Sequence, residues 1–213
     1  MHHIDFHFDL ISPYAYLAFH ELPKVLEGVS ITVTYRPVVF GAVLKHLGQL
    51  GPAEIPGKRD WTYRQVNWLA RQRGLTLKLP ASHPFNSLPL MRLATACDPK
   101  GTPNRHAVGA LFDHVWTTGK EATDPQGLDA LTRLLDPKRD PRSDEVKQQL
   151  HDLTESAIQA GVFGVPTFAT EGQLFWGNDA LPMLRAYLLG DEWFSTAEWT
   201  DVSNWPVGIS RRN

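Results

Sequence analysis

One cysteine, Cys97, occurs in 213 residues, and that scarcity excludes an internal disulfide, a thiolate zinc site and a two-cysteine redox centre within the chain. Any sulfur chemistry here must use a borrowed thiol. Cys97 itself has no activating group beside it in sequence and reads as a buried apolar residue. Long apolar runs are also missing, and the start, Met1-His2-His3-Ile4-Asp5, shows no basic region followed by an apolar one. No membrane partner is expected, and the cytoplasm is the expected compartment. The 21 basic and 23 acidic side chains form no long single-sign blocks and leave a formal charge of -2. Nothing in that balance recruits nucleic acid, and a small neutral or anionic ligand is the expected partner. Of the nine histidines, only His3 and His7 stand at His-x-x-x-His spacing, and they fall in a segment of strand-like alternation, so no metal-binding helix is marked and no metal is expected.

What is present is a chain with 42% hydrophobic residues, enough for one sizeable core or for a core domain carrying a large insertion. Residues 4–9 (Ile4, Asp5, Phe6, His7, Phe8, Asp9) alternate apolar with polar or titratable side chains, the pattern of a strand with one buried face. Ser12-Pro13 then reads as a helix start, because the hydroxyl satisfies an orphan amide and proline has none to lose. That helix is expected over 13–27, ending near Gly28, and the β-branched run 30–39 is a second strand. Helical patterns recur around 61–73, 87–97, 105–118, 125–135 and 144–160 with no linker composition between them. Strand texture returns at 167–170, turns at Glu171-Gly172, and continues at 173–176. A last helix fits 180–189 with Asn178 or Asp179 as its N-cap, and a tail holding Trp193, Trp199 and Trp205 is expected to pack on the body as an irregular arm. The order β-α-β, helical insert, α-β-β-α predicts an α/β fold: a thioredoxin-like core, residues 1–40 and 161–213, with a large all-helical insertion over 41–160.

Ser12 is the centre of the chemical reading. It stands where a strand meets a helix amino terminus, so exposed amides and the helix dipole favour an anion there. Local sequence by itself favours an ordinary N-cap over a thiolate site. The aromatics Phe40, Trp61, Trp68 and Phe85 can wall a flat ligand, or serve as core at helical spacing. Arg36, at the end of the second strand, reads as structural.

The segment from Phe6 through Ser12-Pro13-Tyr14-Ala15-Tyr16-Leu17 resembles the opening of 2-hydroxychromene-2-carboxylate isomerases and of their relatives, the kappa-class glutathione transferases. Further matches in the same order are Tyr35-Arg36-Pro37, Pro56-Gly57-Lys58, His83-Pro84-Phe85-Asn86, residues 161–167 (Gly161 to Thr167) and Phe175-Trp176-Gly177-Asn178-Asp179. The resemblance implies a thioredoxin fold with a helical insert, a homodimer, glutathione as cofactor, and isomerisation of 2-hydroxychromene-2-carboxylate to trans-o-hydroxybenzylidenepyruvate in aromatic catabolism. Thiol–disulfide relatives carry Cys-Pro-x-Cys at this turn, where this chain reads Ser12-Pro13-Tyr14-Ala15. Disulfide exchange is therefore not expected.

Residue by residue, the resemblance makes Ser12 the stabiliser of a glutathione thiolate. Val165-Pro166 occupies the position of a cis-proline loop whose Val165 backbone pairs with the cysteinyl backbone of glutathione. Asn178 and Asp179 would meet its γ-glutamyl end, or simply cap a helix. Lys58 matches a basic residue used for the glycine carboxylate, with a solvated charge as the bland alternative, and Gln49 falls near a position where relatives often carry Asn. Asn86 is a further ligand contact or a cap, and Lys58, Phe85 and Asn86 are the candidates for touching substrate. A kappa-type transferase or peroxidase acting on electrophiles is the alternative enzyme. A thioredoxin-like module gripping an extended peptide at Val165-Pro166 is the non-enzymatic one.

Overall fold

In a computed structural model, which describes residues 1–208, the alternating segment forms β1 (His2–Phe8) and the next β-branched run forms β2 (Ile31–Pro37). The two pair in parallel, joined by α1 (Pro13–Val25). β3 (Thr167–Thr170) and β4 (Gln173–Trp176) complete a four-stranded sheet of order β2-β1-β3-β4, with β1 and β3 antiparallel. Pairing His7 with Thr167 brings the end of β1 beside the start of β3. Two chain positions far apart in sequence thereby become neighbours.

Alternation along β1 has the expected consequence. Ile4, Phe6 and Phe8 are fully buried on one face, where Phe6 stacks on Phe168 with ring centroids 4.8 Å apart. Each such side chain contributes roughly 2–3 kcal/mol of burial free energy. The opposite face holds a smaller cluster of Val38, Ala157, Val162 and Val165.

Between the halves of the sheet run α2 (Phe40–Leu47), α3 (Pro56–Gln72), α4 (Leu88–Ala96), α5 (Arg105–Trp116), α6 (Pro125–Leu135) and α7 (Asp144–Gln159). Three of them begin at side-chain caps: Asn104 accepts from the Ala107 amide at 2.9 Å, Asp124 from Gly127 at 2.9 Å and Ser143 from Val146 at 3.3 Å. α7 packs on β2, and its Ala157 supplies part of the second cluster. After β4 come α8 (Leu181–Leu188) and the short α9 (Ala197–Thr200). Among the described residues, no helix is long and apolar enough to cross a membrane.

Four local expectations are corrected. The helix expected from residue 61 begins at Pro56, because proline at its first position starts the turn earlier, and Lys58 therefore sits inside that first turn. α2 was not anticipated: its N-cap is Val39, with no side-chain hydrogen bond to mark it. Neither Asn178 nor Asp179 caps the last helix; residues 178–180 form a 3-10 turn and Ala180 occupies the cap position. In the tail, Trp199 stacks on Phe175, whereas Trp205 is 79% exposed and does not pack.

Candidate active site

Ser12 lies between the last residues of β1 and the first turn of α1, and its residue is 7% exposed. Its backbone is extended (φ -90°, ψ 115°), as an N-cap requires, and its Oγ accepts from the Ala15 amide at 3.2 Å. The hydroxyl hydrogen points the other way, donating to the Val165 carbonyl at 3.3 Å. The cap and the facing loop are thus joined through one oxygen. Pro13 has no amide to leave unpaired, and among the described residues the Tyr14 amide has no acceptor. The amino end of α1 consequently keeps a free donor beside Ser12, with no acidic side chain in its first turn.

The facing loop is built by residues 161–167. The Val165-Pro166 bond is cis. The Pro166 carbonyl accepts from the Gly177 amide at 2.9 Å, which ties this loop to the turn carrying Asn178 and Asp179. A Cβ at Gly164 would collide with Trp176 Nε1, so the indole lies directly on the Gly164 backbone. Trp176 and Phe163 pack against each other at 4.9 Å between centroids while remaining 54% and 46% exposed.

The 178–180 turn in turn packs on α1. Asn178 is buried, and its Oδ1 accepts from Arg73 Nη1 at 2.9 Å, while Arg73 Nη2 pairs with Glu21 of α1 at 2.8 Å. The Tyr14 hydroxyl donates to Gln65 of α3 at 2.6 Å. Burial raises its pKa, a hydrogen bond with Thr62 opposes this, and the nearby Asp179 charge adds to the rise. Ser12, Val165, Asn178 and Asp179 are therefore gathered around the start of α1.

The other candidates are distributed differently. Lys58 is exposed in the first turn of α3, seven residues before Gln65, or about 10 Å along the helix axis. Gln49 is exposed just after α2, with its amide donating to the Leu44 carbonyl at 2.9 Å. Asn86 is exposed, and its Oδ1 accepts from the Leu88 amide at 3.2 Å, a local turn one residue ahead of the α4 N-cap, Ser87. Phe85 is half-buried beside His83 at 5.9 Å between ring centroids. Of the other aromatics, Phe40 packs against the second cluster, while Trp61 and Trp68 are 62% and 59% exposed on the outer side of α3. Arg36 pairs with Asp5 at 2.9 Å on the sheet, a structural contact.

Two residues that the sequence analysis gave no role at the site stand immediately behind Ser12. Asp9 is fully buried, and burial pushes its carboxyl up to about 6 against the opposing hydrogen bonds it accepts. His83, preceding a cis Pro84, places Nε2 at 2.8 Å from the Ile11 carbonyl, and burial lowers its pKa. The sequence signal for Asp9 was its place on the buried end of β1; for His83 only its motif marked it. Cys97 lies at the end of α4 with its thiol donating to the Leu93 carbonyl at 3.2 Å, and burial raises its pKa to about 11. That rise makes the thiol a poor nucleophile at neutral pH.

The fold agrees with what the chain is similar to. The DSBA-like thioredoxin domain model matches residues 3–189. A 2-hydroxychromene-2-carboxylate isomerase from a Pseudomonas species is 30% identical over 192 residues, which are 85% of this chain and 88% of that protein. Glutathione S-transferase kappa 1 of Homo sapiens is 26% identical over 211 residues, 89% of this chain and 92% of that protein. Among solved structures, a 2-hydroxychromene-2-carboxylate isomerase superposes with a TM-score of 0.75 at 24% identity, over 93% of this chain and 99% of that one, a likeness of fold. The chain belongs to the DSBA-like thioredoxin domain family and, within it, to the family of the 2-hydroxychromene-2-carboxylate isomerases.

Proposed function

We propose that the protein is a glutathione-dependent isomerase that converts 2-hydroxychromene-2-carboxylate to trans-o-hydroxybenzylidenepyruvate in the catabolism of naphthalene-type aromatics, as a cytoplasmic homodimer. The observation that carries this reading is the position of the Ser12 hydroxyl, at the amino end of α1 and 3.3 Å from Val165 of the cis-proline loop, in a chain with no second cysteine. A site of this shape binds a thiol it does not own.

The residues fit the group. A thiolate needs hydrogen-bond donors and a positive field, and the Tyr14 amide, the Ser12 hydroxyl and the α1 dipole provide both. When bound, glutathione supplies a soft nucleophile that adds to the conjugated double bond of the ring-opened ketoacid and later departs, so that the bond can rotate in between. Ser12 turns its O–H from the Val165 carbonyl to the sulfur, holding it as the anion. The freed Val165 backbone pairs with the cysteinyl backbone of the bound tripeptide. Asn178 and Asp179 hold its γ-glutamyl end, with Arg73 keeping Asn178 in place, and Lys58 and Gln49 reach from the far side toward its glycine end. Phe85 and Asn86 border the substrate, and Lys58 steadies its carboxylate or the negative charge that develops beside it.

The test is an ultraviolet assay of 2-hydroxychromene-2-carboxylate with purified protein, with and without glutathione. Thiol-dependent acceleration is expected. Equal rates in both arms would sink the proposal. A kappa-class-like transferase or peroxidase is the second reading, favoured by the 26% identity to kappa 1. It predicts turnover of chlorodinitrobenzene or a hydroperoxide and none of the chromene.

A further inference from the structure

The short turn from Asp9 to Ser12 is held largely by groups from the segment between β2 and β3. The Leu10 carbonyl accepts from Trp116 Nε1 of α5 at 2.9 Å, and the Leu10 amide meets Met91 Sδ of α4 at 3.4 Å. The Ile11 carbonyl accepts from His83 Nε2 at 2.8 Å. The Asp9 carboxylate accepts from the Ile11 amide at 3.0 Å, from the Phe40 amide at the start of α2 at 2.9 Å, and from Ser87 Oγ at the head of α4 at 3.1 Å. The Ser12 amide closes the turn on the Asp9 carbonyl at 3.1 Å. The amides and carbonyls of Leu10 and Ile11 thus all have partners, and none of these partners belongs to the facing loop.

Only His83 among these partners is itself held at both ends. A carbonyl can only accept, so Nε2 carries the hydrogen, and in the neutral ring Nδ1 is then an acceptor. The Tyr63 hydroxyl of α3 lies 2.8 Å from Nδ1 and 3.1 Å from the His83 carbonyl, so its one hydrogen is shared between two acceptors of the same residue. His83 also packs its ring against Trp116 at 5.5 Å between centroids. The result is a chain of contacts running α3, Tyr63, His83, Ile11 and then Ser12.

We propose that His83, with Asp9 and Ser87, is a positioning residue for Ser12: the helical insert grips the peptide groups ahead of the cap and so fixes where the Ser12 hydroxyl and the amide end of α1 stand. This rests on the proposed isomerase reading for its catalytic meaning, though not for its geometry. The physical warrant is that a reacting group displaced by about 1 Å loses on the order of 100-fold in rate, whereas binding made over a whole tripeptide is little affected. Side chains that orient a reactive group without touching substrate act through this sensitivity.

The experiment compares the full chain with His83→Phe, His83→Gln, Ser87→Ala and Ser87→Thr. Amide hydrogen exchange is followed at Leu10, Ile11, Ser12 and Ala15, with α6 as an internal control. His83→Phe keeps the ring and removes the donor, so exchange at these amides should rise at least roughly tenfold while α6 stays at the wild-type rate. Glutathione affinity by calorimetry should stay within about twofold and kcat should fall roughly tenfold or more. Glutamine reaches as far as Nε2 and carries an N–H, so His83→Gln should restore most of both. Ser87→Ala, a smaller change that guards against a misfolded His83→Phe, should loosen the same amides, and Ser87→Thr should not. Unchanged exchange in the turn, or a rise shared equally by α6, would overturn the proposal. A wild-type protein that shows the exchange pattern but neither binds nor uses glutathione would remove the isomerase reading and leave the clamp standing.

Discussion

His7 on β1 and Asp9 just after that strand are buried titratable groups whose pKa values are displaced in opposite directions. Burial raises Asp9 from 3.8 to about 6, and burial lowers His7 from 6.5 to about 4. For Asp9 the folded value lies above the unfolded one, so its favourable contribution is present below about pH 4 and is lost as pH rises to 6. For His7 the folded value lies below the unfolded one, so stability is lost as pH falls from 6.5 to 4. At about 1.4 kcal/mol per pKa unit each is worth roughly 3 kcal/mol, over nearly the same window and with opposite sign. Wild-type stability should change little between pH 4 and 6.5 on their account. Relative to it, Asp9→Asn should gain about 3 kcal/mol on going from pH 4 to 6.5, and His7→Gln should lose a similar amount, as urea titrations at each pH will show. At Ser12 the expected outcome concerns rate. Ser12→Ala removes a cap worth about 1 kcal/mol of stability and a donor to the proposed thiolate worth roughly 100-fold in kcat, with glutathione affinity little changed. A loss of glutathione affinity with kcat unchanged would place Ser12 in binding alone.

At the level of elements, Arg73 at the end of α3 holds Asn178 and Glu21 at once. Arg73→Ala should cost about 2 kcal/mol, the size of a charge-assisted hydrogen bond left unmade, and should lower the urea midpoint without altering the slope. It should also weaken glutathione binding, because the 178–180 turn loses its tie to α3. Elements announced by short-range chemistry were legible in the sequence: α5, α6 and α7 begin at Asn104, Asp124 and Ser143, and β3 and β4 flank the Glu171-Gly172 turn. α2 was not, since it opens on an uncapped Val39 and carries Gly41 in its first turn. Asn178 and Asp179 look like caps in sequence, but Gly177 at φ 100° bends the chain into a 3-10 turn first. The partners of the Asp9 to Ser12 turn were out of reach for a different reason. Ser87 is 78 residues from Asp9, His83 72 from Ile11 and Trp116 106 from Leu10, and no periodicity encodes such separations.

Across the whole molecule, those long-range contacts bear on cooperativity. The helices between β2 and β3 carry Trp116, fully buried, whose indole is bonded to the end of β1. If insert and sheet were independently stable, unfolding would occur in two steps. The shared core and the clamp instead predict one transition, with tryptophan fluorescence and far-ultraviolet circular dichroism tracing the same curve in urea. Separate midpoints for the two probes would show that the insert melts on its own.

The sheet order has one further consequence, and it concerns synthesis. β1 pairs with β2 within the first 37 residues, but its other edge waits for β3, which begins at residue 167. At roughly 5–20 residues per second, a ribosome takes on the order of 10–30 seconds to supply that partner. For that interval the nascent chain presents an open strand edge rich in phenylalanine, able to pair with any extended neighbour. The growing helices are what can shelter it, since Trp116, Met91 and His83 all leave the ribosome before β3 does.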